Sequence, residues 1–439
     1  MKRDKRVLSL ITAALLCGCT AAAPADTQAA TPVRTDAAAS EVTEAVSETS
    51  TETTSDTVSE TETSEETSQT ESVTETPAAS DIDLSYKDAY TAKLREIIAE
   101  HEGEDMSTFM FSVYDVGGDS TPELLVSEGD WHASSAQLFA LADGKVEFID
   151  YVGSYGEAIY MTGKGYFDNA NGGMGSFYNM ISTFDGNKLV NGLSIEGYNG
   201  PDYRAGEENV DYDNMVELYY IDGEETTKEE YYKAYEENFE GRYVNLGRNF
   251  YLNEHGISAV FGDSDEETAF DELILSLPTE GEQWGVPDKM AQIDVTADGT
   301  KELVLSNEYR CDVYSYDKGV KYSGSIPSGD FSPYDYFGMM DLDVDYSSSG
   351  ETEYTLLMND KQGTLVWREH DLSDRFYLSE FDAGALYAKH VYQALKLSDG
   401  TFFYTVDGRQ AEEYDYDNGT QQFFADEYKE VEFVPVAVG

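Results

Sequence analysis

From residue 81 onward, short runs of alternating apolar and polar residues are punctuated by Asp-Gly pairs. "AQLFALADGKVEFIDYV", "YNMISTFDGNKLVNGLSIE" and "NMVELYYIDGEE" carry the two-residue period of half-buried strands. Asp143-Gly144, Asp185-Gly186 and Asp222-Gly223 supply the left-handed turn residues that join antiparallel neighbours. A longer period marks "SYKDAYTAKLREIIAE", which gathers Tyr86, Tyr90, Leu94, Ile97 and Ile98 on one helical face, with Ser85 and Asp88 spaced as a cap. Thr227, with Glu230 three residues on, opens a second short helix, "KEEYYKAYEENF".

The same programme then runs again. "EETAFDELILSL" places Phe270, Leu273, Ile274 and Leu277 on one helical face, behind a capping box read at Ser264 and Glu267. "QIDVTADGTKELVL" follows and matches "VYDVGGDSTPELLV": Asp115, Asp119 and Glu123 correspond to Asp294, Asp298 and Glu302. A hairpin, "CDVYSYDKGVKYSGSI", comes next, and "FFYTVDGRQAEEYDY" echoes "LYYIDGEETTKEEYY". The step from Asp115 to Asp222 is 107 positions and that from Asp294 to Asp407 is 113, so the elements keep both order and spacing. The pattern predicts a mainly β (α+β) chain of two tandem antiparallel β-meander modules, propeller-like or sheet-rich, each preceded by an amphipathic helix. The modules are expected at residues 81–250 and 266–439, with their boundary in a polar stretch around 250–266.

The amino-terminal part is built differently. Lys2, Arg3, Lys5 and Arg6 precede an apolar run from Val7 to Leu16, the layout of a secretory signal peptide over residues 1–19. That run is too short to span and remain in a bilayer. It ends in Leu16-Cys17-Gly18-Cys19, which resembles a bacterial lipobox; the resemblance implies that Cys19 becomes the acylated first residue, anchoring the chain to the membrane on its extracytoplasmic side. Residues 20–80, including "SETSTETTSDTVSETETSEETSQTESVTET", are too poor in large apolar side chains to offset ordering entropy and read as a disordered tether. As a flexible coil such a segment spans roughly 45 Å. The arrangement is similar to that of surface lipoproteins of Gram-positive (Firmicute-type) bacteria.

Charge and cysteine usage narrow the partners. The net charge of −59, with 28 Lys and Arg against 87 Asp and Glu, excludes a nucleic-acid partner, which needs a basic face. Three cysteines, two of them within the signal peptide, leave Cys311 alone and rule out a disulfide framework. Its setting in "CDVYSY" is that of a small core residue.

The two Asp-rich loops are the strongest candidates for chemistry. Asp-x-x-x-Asp-x-x-x-Glu running straight into an apolar strand resembles the calcium loops of the FG-GAP and VCBS type, which implies Asp294, Asp298 and Glu302, and Asp115, Asp119 and Glu123, as metal ligands. The match lacks a carboxylate at Gly117 and Thr296, and the left-handed sixth position holds Gly299 in one loop but Ser120 in the other. Calcium held this way would bind in the range of about 10⁻⁴ to 10⁻³ M. The alternative is that Asp115 and Asp294 close the loops through Asx-type hydrogen bonds without metal. Asp341, Asp343 and Asp345 alternate on what reads as a solvated strand face.

Catalytic signatures are sparse. The five histidines show no His-Glu-x-x-His spacing, and no Gly-x-Ser-x-Gly elbow occurs. "GDWHASS", with Trp131 and His132 beside Ser134 and Ser135, is the one stretch of the first module where a site could sit; as a loop between two strands it reads first as a packed Trp and a surface His. The 33 tyrosines suit half-buried sheet positions, and exposed ones suit the C–H face of a sugar ring. These features together lead to the expectation of a membrane-anchored surface protein that binds a polysaccharide, peptide or protein ligand without transforming it. A secreted hydrolase acting on glycans through paired carboxylates is the alternative.

Overall fold

The computed structural model describes residues 85–131, 133–173, 176–202, 215–239, 241–278, 286–307, 310–326, 353–370, 373–382, 384–407 and 409–436. All belong to one compact unit, Ala79–Gly439. The expected signal peptide over 1–19 with Cys19, the expected tether over 20–80, His132 and the Asp341, Asp343, Asp345 run lie outside the described residues.

Among the described residues, alternation and Asp-Gly turns produce four antiparallel sheets. Sheet 1 runs in the order Phe250–Tyr251, Met110–Tyr114, Glu123–Ser127, Ala136–Ala142, Lys145–Val152. Sheet 2 runs Glu224–Thr226, Met215–Ile221, Leu189–Pro201, Ser176–Phe184, Tyr166–Asp168, Ala158–Met161, Val244–Leu246, with Asn171–Gly173 also paired to Ser176–Phe184. Sheet 3 runs Val320–Ile326, Cys311–Tyr316, Glu302–Ser306, Lys289–Ile293, Val434–Pro435. Sheet 4 runs Arg409–Ala411, Phe402–Val406, Ala385–Lys396, Ser373–Asp382, Thr364–His370, Glu353–Asn359, Lys429–Glu430. The expected sheet-rich architecture, repeated twice, is what the chain adopts.

Each copy closes on itself in the same way. Val244–Leu246 returns to Ala158–Met161 and Phe250–Tyr251 to Met110–Tyr114. In the second copy Lys429–Glu430 returns to Glu353–Asn359 and Val434–Pro435 to Lys289–Ile293. The hairpin turns repeat down to single bonds. Asp222 and Asp407 both adopt positive φ, and each carboxylate accepts from the amide of the preceding long strand, Ser194 N at 2.9 Å and Val391 N at 2.8 Å.

Among the described residues five α-helices accompany the sheets: α1 (Ser85–Glu100), α2 (Lys228–Phe239), α3 (Glu254–Phe261), α4 (Glu266–Leu275) and α5 (Glu413–Thr420). Helix α3 corrects the reading of 250–266 as a polar boundary. Its buried Ile257, Ala259, Val260 and Phe261 belong to the core, and Asn253 caps its start by accepting from Gly256 N at 3.0 Å. Eight residues are too few for the helical period to stand out from flanking polar residues, so a buried helix stands between the two modules, ahead of α4, where a polar stretch was expected. The cap of α4 is Asp265, which accepts from Thr268 N at 3.0 Å, one position beyond the Ser264–Glu267 box read from sequence. The α2 box does form, with Glu230 N donating to Thr227 Oγ1 at 3.2 Å and Thr227 N donating to Glu230 Oε2 at 3.4 Å.

The two copies share a central core. Tyr90 and Leu94 of α1, Phe261 of α3 and Phe270 of α4 meet Phe111, Leu124 and Val126 of sheet 1 and Leu303, Leu305 and Tyr314 of sheet 3 in one buried cluster. On the reverse face of sheet 1, Leu125 and Leu138 pack against Tyr160 and Phe167 of sheet 2. On the reverse face of sheet 3, Val304 and Val313 pack against Leu356 and Trp367 of sheet 4. Outermost, α2 covers sheet 2 with Tyr231, Tyr235 and Phe239, while Tyr416 of α5 and Phe423 cover sheet 4. The strands "ELLVS" and "ELVLS" therefore read as unbroken apolar runs because both of their faces are buried.

Leu124→Ala and Leu303→Ala should each cost about 2–5 kcal/mol. Because both side chains enter the same cluster, each substitution is expected to lower a single calorimetric transition. Two separable transitions, of which only one moves, would refute the shared core.

Candidate functional site

The two Asp-rich loops have nearly the same geometry. In the first, Asp115 Oδ1 accepts from Gly118 N at 2.7 Å and Asp119 N at 3.2 Å, and its Oδ2 accepts from Ser120 N at 3.0 Å. Asp119 Oδ1 accepts from Thr121 N at 2.8 Å, and Glu123 Oε2 accepts from Val116 N at 2.9 Å and Gly117 N at 3.1 Å. In the second, Asp294 accepts from Asp298 N at 3.1 Å and Gly299 N at 2.9 Å, Asp298 from Thr300 N at 2.7 Å, and Glu302 from Val295 N at 2.7 Å. Positive φ falls at the fourth and sixth positions of both, Gly118 and Ser120 in one and Ala297 and Gly299 in the other. Ser120 thus keeps the left-handed turn that its side chain disfavours, held there by the hydrogen bond its backbone N–H donates to the Asp115 carboxylate.

The loops are joints between the sheets of a module. The Tyr90 hydroxyl of α1 donates to Pro122 O at 2.7 Å, and the Tyr160 hydroxyl of sheet 2 donates to Val116 O at 2.8 Å. In the second copy, Gly363 turns at positive φ so close to Val295 that an added Cβ would lie 2.8 Å from its carbonyl oxygen. Glu123 and Glu302 are both buried at the start of the doubly covered strands. Burial pushes the Glu123 carboxyl up to about 7, against the pull of its two amide donors and with a further push from Asp115 and Asp119. Burial raises Glu302 as well.

As a calcium ligand set the fit is partial. Each loop brings three carboxylates to one turn, with no carboxylate at 117 or 296, and both oxygens of Asp115 and of Asp294 already accept from backbone amides. Among the described residues no group of three or more His, Cys, Asp or Glu side chains is placed to hold a metal ion.

Trp131, expected to pack, is instead 57% exposed, its ring lying over Gly129, where the missing side chain leaves room for it at the surface. Other candidate groups take structural roles. Cys311 is fully buried, its Sγ lies 3.2 Å from Ser306 Oγ, and burial pushes the thiol up to about 12. His101, His255, His370 and His390 each face one carboxylate at the surface, those of Glu104, Glu272, Asp374 and Asp407. Asp168 on sheet 2 is a buried acid that sequence reading did not single out, hidden among the 87 acidic residues. Its Oδ2 accepts from Asn179 Nδ2 at 2.8 Å, its Oδ1 has no partner, and burial pushes the carboxyl up to about 7. Such a shift suits a proton donor, but Asp168 is sealed from solvent.

A surface difference between the copies is the other candidate. Aligning Asp222 with Asp407 gives an offset of 185 residues, which superposes the ring pairs Tyr219–Tyr231 (4.9 Å) and Tyr404–Tyr416 (5.2 Å). At the same offset, Glu217, ion-paired to Lys228 at 3.0 Å, becomes Phe402, and Glu229 becomes Tyr414. Buried Phe239 becomes Phe424, because α5 gives way to a 3₁₀ turn, Gln421–Phe424, whose tighter winding turns Phe423 inward and Phe424 outward. Phe402, Tyr414 and Phe424 are 50%, 73% and 64% exposed.

The raised acids fix a pH dependence. Glu123 and Asp168 have folded values near 7, against ordinary values of 4.5 and 3.8. Since the folded values are the higher ones, the associated stability is fully present below the unfolded values and is lost as pH rises through about 7. Glu123→Gln and Asp168→Asn keep an acceptor in place and should each raise stability at pH 8 by roughly 1–3 kcal/mol and flatten the slope between pH 5 and 8 in urea titrations. Unchanged slopes would show that the carboxyls titrate normally.

No family model matches the chain, and no curated protein matches it. Among solved structures, prolyl oligopeptidase B from Galerina marginata bound to a 25mer macrocyclization substrate is similar over 81% of this chain and 55% of that one, at 10% identity and a TM-score of 0.16. The same protein bound to a 35mer substrate is similar over 75% of this chain and 47% of that one, at 11% identity and a TM-score of 0.15. The chain thus spans about half the length of these proteins, and the TM-scores are too low to establish a common fold.

Proposed function

We propose that this chain is a lipid-anchored protein on the extracytoplasmic face of a cell membrane that binds a ligand without transforming it. One observation carries this reading: both modules expose aromatic rings, Trp131, Phe148 and Tyr151 in the first and Phe402, Tyr414 and Phe424 in the second, the latter at positions where the first copy has Glu217, Glu229 and an inward-facing Phe239. Exposed aromatics at positions where the same fold accepts charges are not there to hold the fold together. The leader, Cys19 and the acidic tether supply the anchorage and the reach.

Calcium enters this reading as a weak structural ligand of the 294–302 loop, through Asp294, Asp298 and Glu302, and less so of the 115–123 loop. Desolvation and the neighbouring Asp298 both disfavour a charged Glu302, and a cation beside them would relieve that.

Two measurements test the proposal. In cells carrying the full-length chain, Cys19→Ala should move the protein from the membrane fraction to the soluble or secreted fraction and abolish incorporation of labelled fatty acid; continued labelling would disprove lipidation at Cys19. For the metal, 10 mM calcium acting on a site of about 1 mM affinity should stabilise the protein by about 1.4 kcal/mol. Asp294→Asn should cancel that shift, and melting curves indifferent to calcium and chelator would rule the ion out.

A further inference from the structure

We infer that the outer edge of sheet 1, strand Lys145–Val152, docks a basic, extended peptide segment of another protein as an added strand, an inference that rests on the surface-binding reading above. This strand ends its sheet: it pairs with Ala136–Ala142 on one side and, among the described residues, with no strand on the other. Its counterpart in the second copy is Val320–Ile326, the end strand of sheet 3. The two superpose down to a shared irregularity, one bulged residue each, Ile149 and Ser323, where the register shifts at Leu138/Phe139 and at Val313/Tyr314. Phe148 then answers to Tyr322, Asp150 to Gly324 and Tyr151 to Ser325.

The counterpart is covered, and this strand is open. Ser323, Ser325 and Ile326 are buried, and Gly324 lies so close to the strand Ala385–Lys396 that an added Cβ would sit 2.8 Å from Leu386 O. In the first copy Glu147, Phe148, Asp150 and Tyr151 are all exposed. Where the second copy has small residues that admit a strand of its own fold, the first has large and charged ones, which leaves the edge to a partner. A bulge can guard an edge against pairing, but this one also occurs in the covered copy, so it belongs to the sheet and is no guard.

The side chains specify the partner. On the face that carries Phe139 toward the central core, Phe148 meets Phe139 edge-on at 5.7 Å and Tyr151 edge-on at 5.1 Å, so that two touching rings lie 48% and 60% exposed. On the opposite face Glu147 and Asp150 stand across from Ala140 and Leu138. An added strand alternates in the same way, with lysine or arginine over the carboxylates and apolar side chains over the rings. The net charge of −59 draws such a segment in. It also repels a second copy of this chain, whose edge would bring further carboxylates to Glu147 and Asp150.

The test is fluorescence anisotropy of labelled synthetic peptides titrated with the full-length protein. A peptide alternating Lys with Val should bind saturably. One alternating Lys with Pro keeps the charge but loses half of its ladder donors, and its Kd should be higher by about tenfold or more. Phe148→Ala combined with Tyr151→Ala should weaken the Lys-Val peptide by about the same factor, and because both rings are exposed the double variant should melt as the parent does. Phe402→Ala with Phe424→Ala, in the second module, should bind as the parent does. No binding of the Lys-Val peptide, equal binding of the Lys-Pro peptide, binding that survives the loss of both rings, or a dimer of this chain that the Lys-Val peptide cannot dissociate would each overturn the inference. Fatty-acid labelling at Cys19 in the same preparation separates these outcomes from failure of the anchorage, since loss of labelling with peptide binding intact faults only the latter.

Discussion

Everything in this fold hangs on two short strands, Glu123–Ser127 and Glu302–Ser306, buried on both faces. Each sends two side chains into the shared centre and one into its own module's inter-sheet core: Leu124 and Val126 against Leu125, Leu303 and Leu305 against Val304. Fully burying a leucine or valine is worth about 1.5–3 kcal/mol, so these six residues stabilise both the modules and their union. The constraint then moves to the strand entrances. A chain that must dive between two apolar layers needs its last exposed turn fixed, and Asp115–Glu123 and Asp294–Glu302 do this by tying carboxylates to backbone amides.

Where the copies meet, apolar contact is supplemented by polar pairing. Arg310 donates to Asp312 at 3.2 Å and to Glu157 of the first module at 3.4 Å, and the Tyr314 hydroxyl donates to Asn249 O at 3.0 Å. Burial pushes Asp312 upward, and the adjacent Arg310 pulls it back. Such a network adds little net stability, because desolvation offsets attraction, but it penalises any docking that separates Arg310 from Glu157.

Much of this was legible in the sequence because it depends on local chemistry. The duplication, the Asp-Gly hairpins, the α2 capping box and the apolar faces of α1 and α4 each follow from residue types at fixed spacing. Helix α3 was not, since eight residues with Gly256 and Ser258 among them show no clear period until their burial is known. The partnering of the loop carboxylates with amides is a matter of backbone direction, to which the Asp-x-x-x-Asp pattern is indifferent. The exposed aromatics of the second copy were hidden for a different reason: Phe424 differs from Phe239 only in the type of helical turn that carries it, and exposure follows from that turn and not from the residue.

The late strands that close each copy also bear on how the chain becomes folded. Sheet 1 is complete in hydrogen bonds once Phe250–Tyr251 has been made, yet its inner face, with Phe111, Leu124 and Phe250, then lacks Leu303, Leu305 and Tyr314. A chain emerging from its amino terminus would therefore pass through a stage in which one paired module presents a bare apolar surface to its surroundings. Association between neighbouring chains is most favoured in that interval. A long acidic segment leading the folded part, by keeping such neighbours apart through mutual repulsion, would act during assembly as well as after it.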